Sequence, residues 1–292
     1  MTELKYEILD WINIDDLNSY NLSSNPNAMQ FLEKNPHKIV WKELSRNPNA
    51  IELLTKTPHE IDWRVLSGNS NAIHLLERNQ DKIVWKELSR NLNAIHLLTQ
   101  NLDKINWFYL SSNPNAINLL EKHLHKIDWN ELSSNPNAIH LLEQYPDKIF
   151  WRFLSSNPNA IQLLEQNLDK IHWGFLSSNP NAISILEKNP DKIAWYFLSL
   201  NPNAIHLLEK NPDKIARFSL PMNPNAIKLL EKFQDHIQWS LLSYNPSIFK
   251  MNVNYKFLDR KINKIKEELM MKCMHPKRLK RFLLMGGQID DF

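Results

Sequence analysis

The chain has 292 residues with 35 basic and 32 acidic side chains, a formal charge of +3, and only four glycines, Gly68, Gly174, Gly286 and Gly287. A phosphate-cradling glycine loop has nothing to be built from, and the single cysteine, Cys273, excludes a disulfide framework, a thiolate zinc centre and an iron–sulfur cluster. No apolar run approaches the roughly 18 residues of a membrane span, and the start Met1-Thr2-Glu3-Leu4-Lys5-Tyr6-Glu7 lacks the basic and apolar regions of a signal peptide, so an intracellular protein is expected.

Residues 1–24 hold Trp11, out of phase with the later tryptophans, and are expected to form an N-terminal cap. From Asn25 the chain repeats in steps of 22: tryptophan recurs at Trp41, Trp63, Trp85, Trp107, Trp129, Trp151, Trp173, Trp195 and Trp239. The tetrad Asn-Pro-Asn-Ala keeps the same step, with Ser70 and Leu92 in place of proline. Ten units run from 25 to 244, and Asn245-Pro246 begins another. The consensus is N-P-N-A-I-x-L-L-E-x-N-P-D-K-I-x-W-x-x-L-S-x.

Each unit predicts two short helices. Asparagine before proline is a helix start, because its side chain can accept an orphan N–H and proline suits the first turn. In the unit of Asn135, the residues Ala138, Ile139, Leu141 and Leu142 form an apolar stripe from which His140 points away. The second half restarts with the same grammar, as in Asn189-Pro190-Asp191-Lys192-Ile193, and sets Trp195, Leu198 and Ser199 on one face. A strand over the Ile-x-Trp segment is the alternative, but the leucine-rich-repeat signature that would support it is absent.

Isolated helices this short are marginal in water. Stacking buries each apolar face against the next unit, so the expected fold is an all-α solenoid of about ten two-helix repeats over 25–249, with N- and C-terminal helical caps. At about 8–10 Å per packed helix it would be a rod or shallow superhelix on the order of 90 Å long, without a central pocket, its tryptophans buried between units. The unit of Asn201 departs from the pattern: Arg217 stands for tryptophan and Pro221 for serine. A kink or altered stacking is expected there, since a charge is costly in an apolar slot and Pro221 disfavours helical geometry at Leu220. Residues 250–292 form the C-terminal cap, with a long amphipathic helix expected over 255–274 and a short one over 277–285.

The recurrent polar residues carry little chemistry. His74, His96, His140 and His206 share an outward column that also accepts Gln, Glu, Asn, Ser and Lys. Neighbours in it would stand about 10 Å apart, too far for one metal, so no metal or cofactor is expected. The repeated carboxylates predict charge pairs with the repeated lysines, as in Glu143 with Lys148 or Glu187 with Lys192, rather than one acid–base site. The serines Ser111, Ser133, Ser155 and Ser177 have no fixed histidine partner. The first asparagine of each tetrad reads as a cap, and the second as an inter-unit bond or a grip on a peptide backbone.

Specificity in a repeat protein can sit in the variable columns. Those flanking the tryptophan hold Lys42, Glu43, Arg64, Lys86 and Glu87 in early units. Later they hold Phe108, Tyr109, Phe150, Phe153, Phe175, Tyr196, Phe197 and Phe218, interrupted by Asn130 and Glu131. Exposed aromatics grouped this way mark a protein-binding surface; the alternative is that some turn inward and enlarge the core. Residues 250–281 carry eleven Lys or Arg against three acids, while residues 1–249 sum to −3. Lys261, Lys264, Lys277, Arg278, Lys280 and Arg281 are therefore candidates for polyanion binding, unless the segment is a solvated cap.

The repeat resembles the short tandem-repeat proteins encoded in many copies by giant DNA viruses. The closing His275-Pro276-Lys277-Arg278, followed by Leu283 and Gly286, is similar to a terminal segment common in them. The resemblance implies a viral, non-enzymatic protein of the host cytoplasm or virion and carries over no catalytic residue. The expected function is a scaffold or adaptor binding another protein along the aromatic face. The alternative is nucleic-acid or virion attachment through the basic C-terminal helix.

Overall fold

In the computed structural model, residues 5–234, 237–252 and 264 are described. The chain divides into a repeat unit, Ile8–Phe249, and a unit made of the terminal stretches 1–7 and 250–292. The fold is all-α and repetitive; its described strands, β1 (Lys5–Ile8) and β2 (Phe249–Asn252), form a two-stranded sheet. The helices expected over 255–274 and 277–285 lie outside the described residues, as do Lys261, Lys277, Arg278, Lys280 and Arg281; Lys264 is exposed.

The unit of Asn135 shows the grammar. A turn over Pro136-Asn137-Ala138 leads into a first helix, Ile139–Gln144. Tyr145 then leaves helical geometry (φ −127°, ψ 64°) ahead of Pro146, as a residue before proline tends to. A 3-10 turn, Pro146–Lys148, follows, then extended Ile149 and Phe150, then a second helix, Trp151–Leu154. The Ile-x segment is thus extended but is no strand. The second asparagine-proline start differs from the expected cap: Asn189 donates its Nδ2 back to the Ile185 carbonyl at 2.9 Å, closing the first helix rather than opening the next turn.

Polar and apolar columns stack together. Ala138, Leu142, Leu132, Ser133 and Asn135 are all fully buried, and their equivalents recur around the array. Asn135 Nδ2 donates to the carbonyls of Ser111 and Asn113, both at 2.9 Å, while its Oδ1 accepts from the Asn137 N–H at 3.0 Å. Asn137 Nδ2 donates to the Pro114 carbonyl at 3.0 Å, so the second asparagine is an inter-unit bond. Ser133 Oγ donates to the Trp129 carbonyl at 2.8 Å and accepts from the Phe150 N–H of the next unit at 3.0 Å. These serines are relays that satisfy buried backbone groups the short helices leave open.

The same ladder joins the two ends of the repeat unit. Asn25 Nδ2 donates to the carbonyls of Ser243 and Asn245, both at 3.0 Å, and Asn27 Nδ2 to that of Pro246 at 2.9 Å. The Asn18 N–H reaches Ser243 Oγ at 2.8 Å, the bond Phe150 makes with Ser133. Residues 245–249 therefore supply the first half of an eleventh unit, and Leu17-Asn18-Ser19-Tyr20-Asn21-Leu22-Ser23-Ser24 its second half. This replaces two expectations: the array is a closed ring, not a rod, and residues 17–24 are part of a repeat, not a cover over one. Closure follows from a rotation of about 33° per unit summed over eleven units. Trp11 packs on Trp239 with ring centres 6.3 Å apart, serving the one ladder tryptophan followed by the spliced unit.

Consecutive second helices pack directly on one another, whereas first helices are bridged at their surface by side-chain pairs such as His140–Glu121 (2.8 Å). The more crowded layer of a closed ring is its inner one, so the second helices line the bore. A concavity of about 400 Å³, lined by Lys42, Arg46, Asp62, Arg64, Val65, Gly68, Glu87 and Arg90 of three successive units, lies on that same face.

The ladder tryptophans are half-buried, not buried as expected. A lysine of the next unit lies over each of several rings: Lys170 over Trp151 at 4.6 Å and Lys192 over Trp173 at 4.7 Å. Lysines are thus spent on tryptophans rather than on the expected glutamates. Glu187 instead meets His206 at 3.0 Å, and Lys148 lies 3.8 Å from Asp147. Where the next unit offers a ring at its eleventh position, the ring takes that contact: His123 on Trp107 (5.0 Å) and Tyr145 on Trp129 (5.2 Å). Arg217 obeys the same rule. It is exposed, its guanidinium 5.4 Å from the Phe233 ring, so no charge is buried. Pro221 does cost the second helix, replaced by a 3-10 turn, Leu220–Met222. The ladder nevertheless passes through unbroken: Ala216 N–H to Ser199 Oγ, Asn223 Nδ2 to Ser199 O, and Asn245 Nδ2 to Pro221 O, at 2.9–3.0 Å. The expected disturbance is confined to one helix and does not reach the stacking.

Candidate protein-binding face

The second helix is barely more than a turn. Its tryptophan, leucine and serine are committed to neighbouring units, so the residue before the tryptophan, the two after it and the last of the unit are left to face the bore. Phe108, Phe150, Tyr196 and Phe218 are 47%, 41%, 48% and 56% exposed, and Tyr109, Phe153, Phe175 and Phe197 are half-buried. None of the eight is among the buried side chains of the core.

Five of them touch in sequence. Phe150 meets Phe153 (5.3 Å), Phe153 meets Phe175 edge-on (6.1 Å), Phe175 stacks on Phe197 (6.2 Å), and Phe197 meets Tyr196 edge-on (5.4 Å). Such arrangements favour aromatic pairs beyond area burial alone. Two residues that the sequence reading did not single out belong here: His172 packs edge-on against Phe175 at 4.9 Å, and the Arg152 guanidinium lies 5.1 Å from the same ring. Both occupy the variable columns, which was the available signal. Gly174 stands where most other units carry a long side chain; a Cβ there would lie 3.1 Å from His172 Cε1 and 3.4 Å from Phe197.

Phe108 and Tyr109 form a separate edge-on pair (5.3 Å), with the Arg90 guanidinium over Tyr109 at 3.9 Å. Asn130 and Glu131 divide this pair from the run of five. Partial burial holds the Glu131 carboxyl above its usual range, Asp128 adds to this, and Arg90 partly offsets it. Phe218 sits on the unit that lost its second helix, and among the described residues no ring contact joins it to the run.

The arc of the first three units is charged. Glu87 lies between Arg64 (4.0 Å) and Arg90 (3.6 Å), and Glu43 accepts from Arg46 Nε at 3.4 Å. Glu43 is buried, and among the described residues its Oε1 has no hydrogen-bond partner. The Tyr20 hydroxyl is held above its usual pKa chiefly by hydrogen bonding to the Glu43 side chain of the following unit, and burial and the Glu43 charge add to this.

On the outer layer, histidines of the shared column pair with glutamates of the preceding unit: His96–Glu77 and His140–Glu121, both 2.8 Å, and His206–Glu187. The His96 hydrogen bond lowers the Glu77 pKa. Among the described residues, no group of three or more His, Cys, Asp or Glu could hold a metal, and no helix is long and apolar enough to cross a membrane. No family model matches the chain, and neither does any of the curated proteins or solved structures compared with it.

Proposed function

We propose that this chain is a non-enzymatic protein-interaction scaffold that takes a partner protein along the aromatic arc of its bore. Its resemblance to the tandem-repeat proteins of giant DNA viruses makes it a viral scaffold or adaptor. The observation that carries the reading is the unbroken run Phe150, Phe153, Phe175, Phe197 and Tyr196, kept at the surface by a fold whose core is complete without it. Fully desolvating such rings against a partner is the commonest source of concentrated binding energy.

The test is purification of partners from infected cells on the parent chain and on a Phe153→Ser, Phe175→Ser, Phe197→Ser variant, with the purified partner titrated at two salt concentrations. The variant should keep the parent's helicity and lose the partner, with weak salt dependence in the parent. Binding that survives the triple substitution and falls steeply with salt through counterion release would assign the function to the basic C-terminal segment instead.

A further inference from the structure

The two arcs of the bore face each other. Arg64 and Phe175 stand on units five steps apart in the ring of eleven, about 160° around it. On one side five cations, Lys42, Arg46, Arg64, Lys86 and Arg90, outnumber three carboxylates, Glu43, Asp62 and Glu87. On the other stands the run of rings. Ring centres one unit apart are 6.1–6.2 Å from each other, and eleven such steps close a circle about 22 Å across. Allowing for the van der Waals thickness of opposing side chains leaves a clear width of roughly 15–18 Å. An α-helix with its side chains measures about 10–12 Å.

From these observations we infer that the bore receives a single amphipathic α-helix of a partner protein, its apolar face against Phe153, Phe175 and Phe197 and its acidic face toward Lys42, Arg46 and Arg64. The inference rests on the protein-binding reading and specifies its partner. A helix is the one common element that presents an apolar and a charged stripe about 180° apart at this diameter. A nucleic-acid duplex is too wide. A single strand stacks its bases on rings with cations along the same track, whereas here the cations are concentrated on the opposite wall and Arg152, beside the rings, already lies over Phe175. Because the ring is closed by its own ladder bonds, a helix reaches the bore end-on.

The probe is a fluorescein-labelled peptide of about 18 residues, roughly 27 Å as a helix, with Leu and Phe on one face and Glu on the other, titrated by anisotropy into the full chain. The Phe153→Ser, Phe175→Ser, Phe197→Ser variant and, separately, a Lys42→Glu, Arg64→Glu variant should each weaken binding at least about tenfold, as should a scrambled peptide that has no faces. The same peptide fused to a folded domain at one end should still bind. Fused at both ends, it should associate at least about tenfold more slowly or not at all. Equal association of the doubly blocked peptide, indifference to the charge reversal, or tighter binding of a 12-nucleotide single strand would each overturn the inference. If a cellular partner depends on the three phenylalanines while this peptide is ignored, the threaded helix is wrong and the protein-binding reading stands. If the triple substitution leaves the cellular partner bound, that reading itself falls.

Discussion

Ring closure can be tested with one pair of substitutions, Asn25→Ala and Asn135→Ala. Asn135 is fully buried, donates two hydrogen bonds at 2.9 Å and accepts one at 3.0 Å. Alanine there removes all three bonds and leaves the Asn137 N–H and the Ser111 carbonyl without their partner, while the Asn113 carbonyl keeps the Ala116 N–H. At about 1 kcal/mol per bond, and more where a buried group stays unsatisfied, the loss is about 3–4 kcal/mol. Asn25 has the same three bonds, but its two donor bonds cross the seam to Ser243 and Asn245. In a closed ring Asn25→Ala should therefore cost as much as Asn135→Ala. In an open array Asn25 would keep only the local bond to the Asn27 N–H, and its loss would cost about 1 kcal/mol, as for a helix cap. Urea unfolding followed by far-UV circular dichroism and tryptophan fluorescence distinguishes the two. A cost of about 1 kcal/mol at Asn25 beside 3–4 kcal/mol at Asn135 would refute closure.

Trp151→Ala should cost about 2–3 kcal/mol in the same assay, less than a fully buried aromatic, because the indole is half-buried and its further contact is the Lys170 ammonium. Glu131→Gln should raise the melting temperature at pH 7, with the gain shrinking toward pH 4. The Glu131 carboxyl is held above its ordinary pKa, so its charged form opposes folding above the unfolded pKa, and that opposition fades as pH falls through the folded one; an unchanged difference across this range would contradict it. Arg217→Trp with Pro221→Ser should restore a second helix and slow amide exchange over 216–222, since Phe233 can pack on an indole as Tyr145 does on Trp129; faster exchange would show that Phe233 requires the guanidinium.

The two-helix unit was legible because its cause is local. Asparagine before proline, a leucine-rich stripe and a 22-residue step each restrict a few neighbouring residues, and of the apolar stripe Ala138, Leu141 and Leu142 are buried as the spacing implies, while Ile139 is half-buried. The variable columns were legible for the same reason: a short helix has few faces, and those not taken by tryptophan, leucine and serine must be exposed. Misread were the partners of long polar side chains. A lysine five positions beyond a glutamate can reach it, but Lys192 lies over the tryptophan ring of the preceding unit and Glu187 pairs with His206. Such choices depend on inter-unit offset, which a consensus does not state. One trace was present. Tryptophan meets a ring where the next unit has His123 or Tyr145 in place of asparagine, and Phe233 follows the one unit that carries arginine instead.

Closure was hidden for a different reason. Whether eleven units make a rod or a ring depends on a small rotation per unit, and an error of a few degrees in it, multiplied around the circle, decides the outcome. No single residue encodes that angle; it follows from the spacing difference between second helices in direct contact and first helices held apart by pairs such as His140–Glu121. The ends, however, do carry a local signature. Leu17-Asn18-Ser19-Tyr20-Asn21-Leu22-Ser23 matches the second half of the repeat at its isoleucine, leucine and serine positions and differs by the loss of tryptophan, while Asn245-Pro246-Ser247-Ile248 matches the first half. A cap that shields an apolar face needs only polar residues outward. Complementary half-units, one at each end, instead expose one unfinished ladder each: Asn25 lacks the carbonyls it donates to, and Ser243 and Asn245 lack their donor. Buried amide groups left in that state cost more than the loop entropy of bringing the ends together. Two half-units that complete one another are therefore a reason for the array to close.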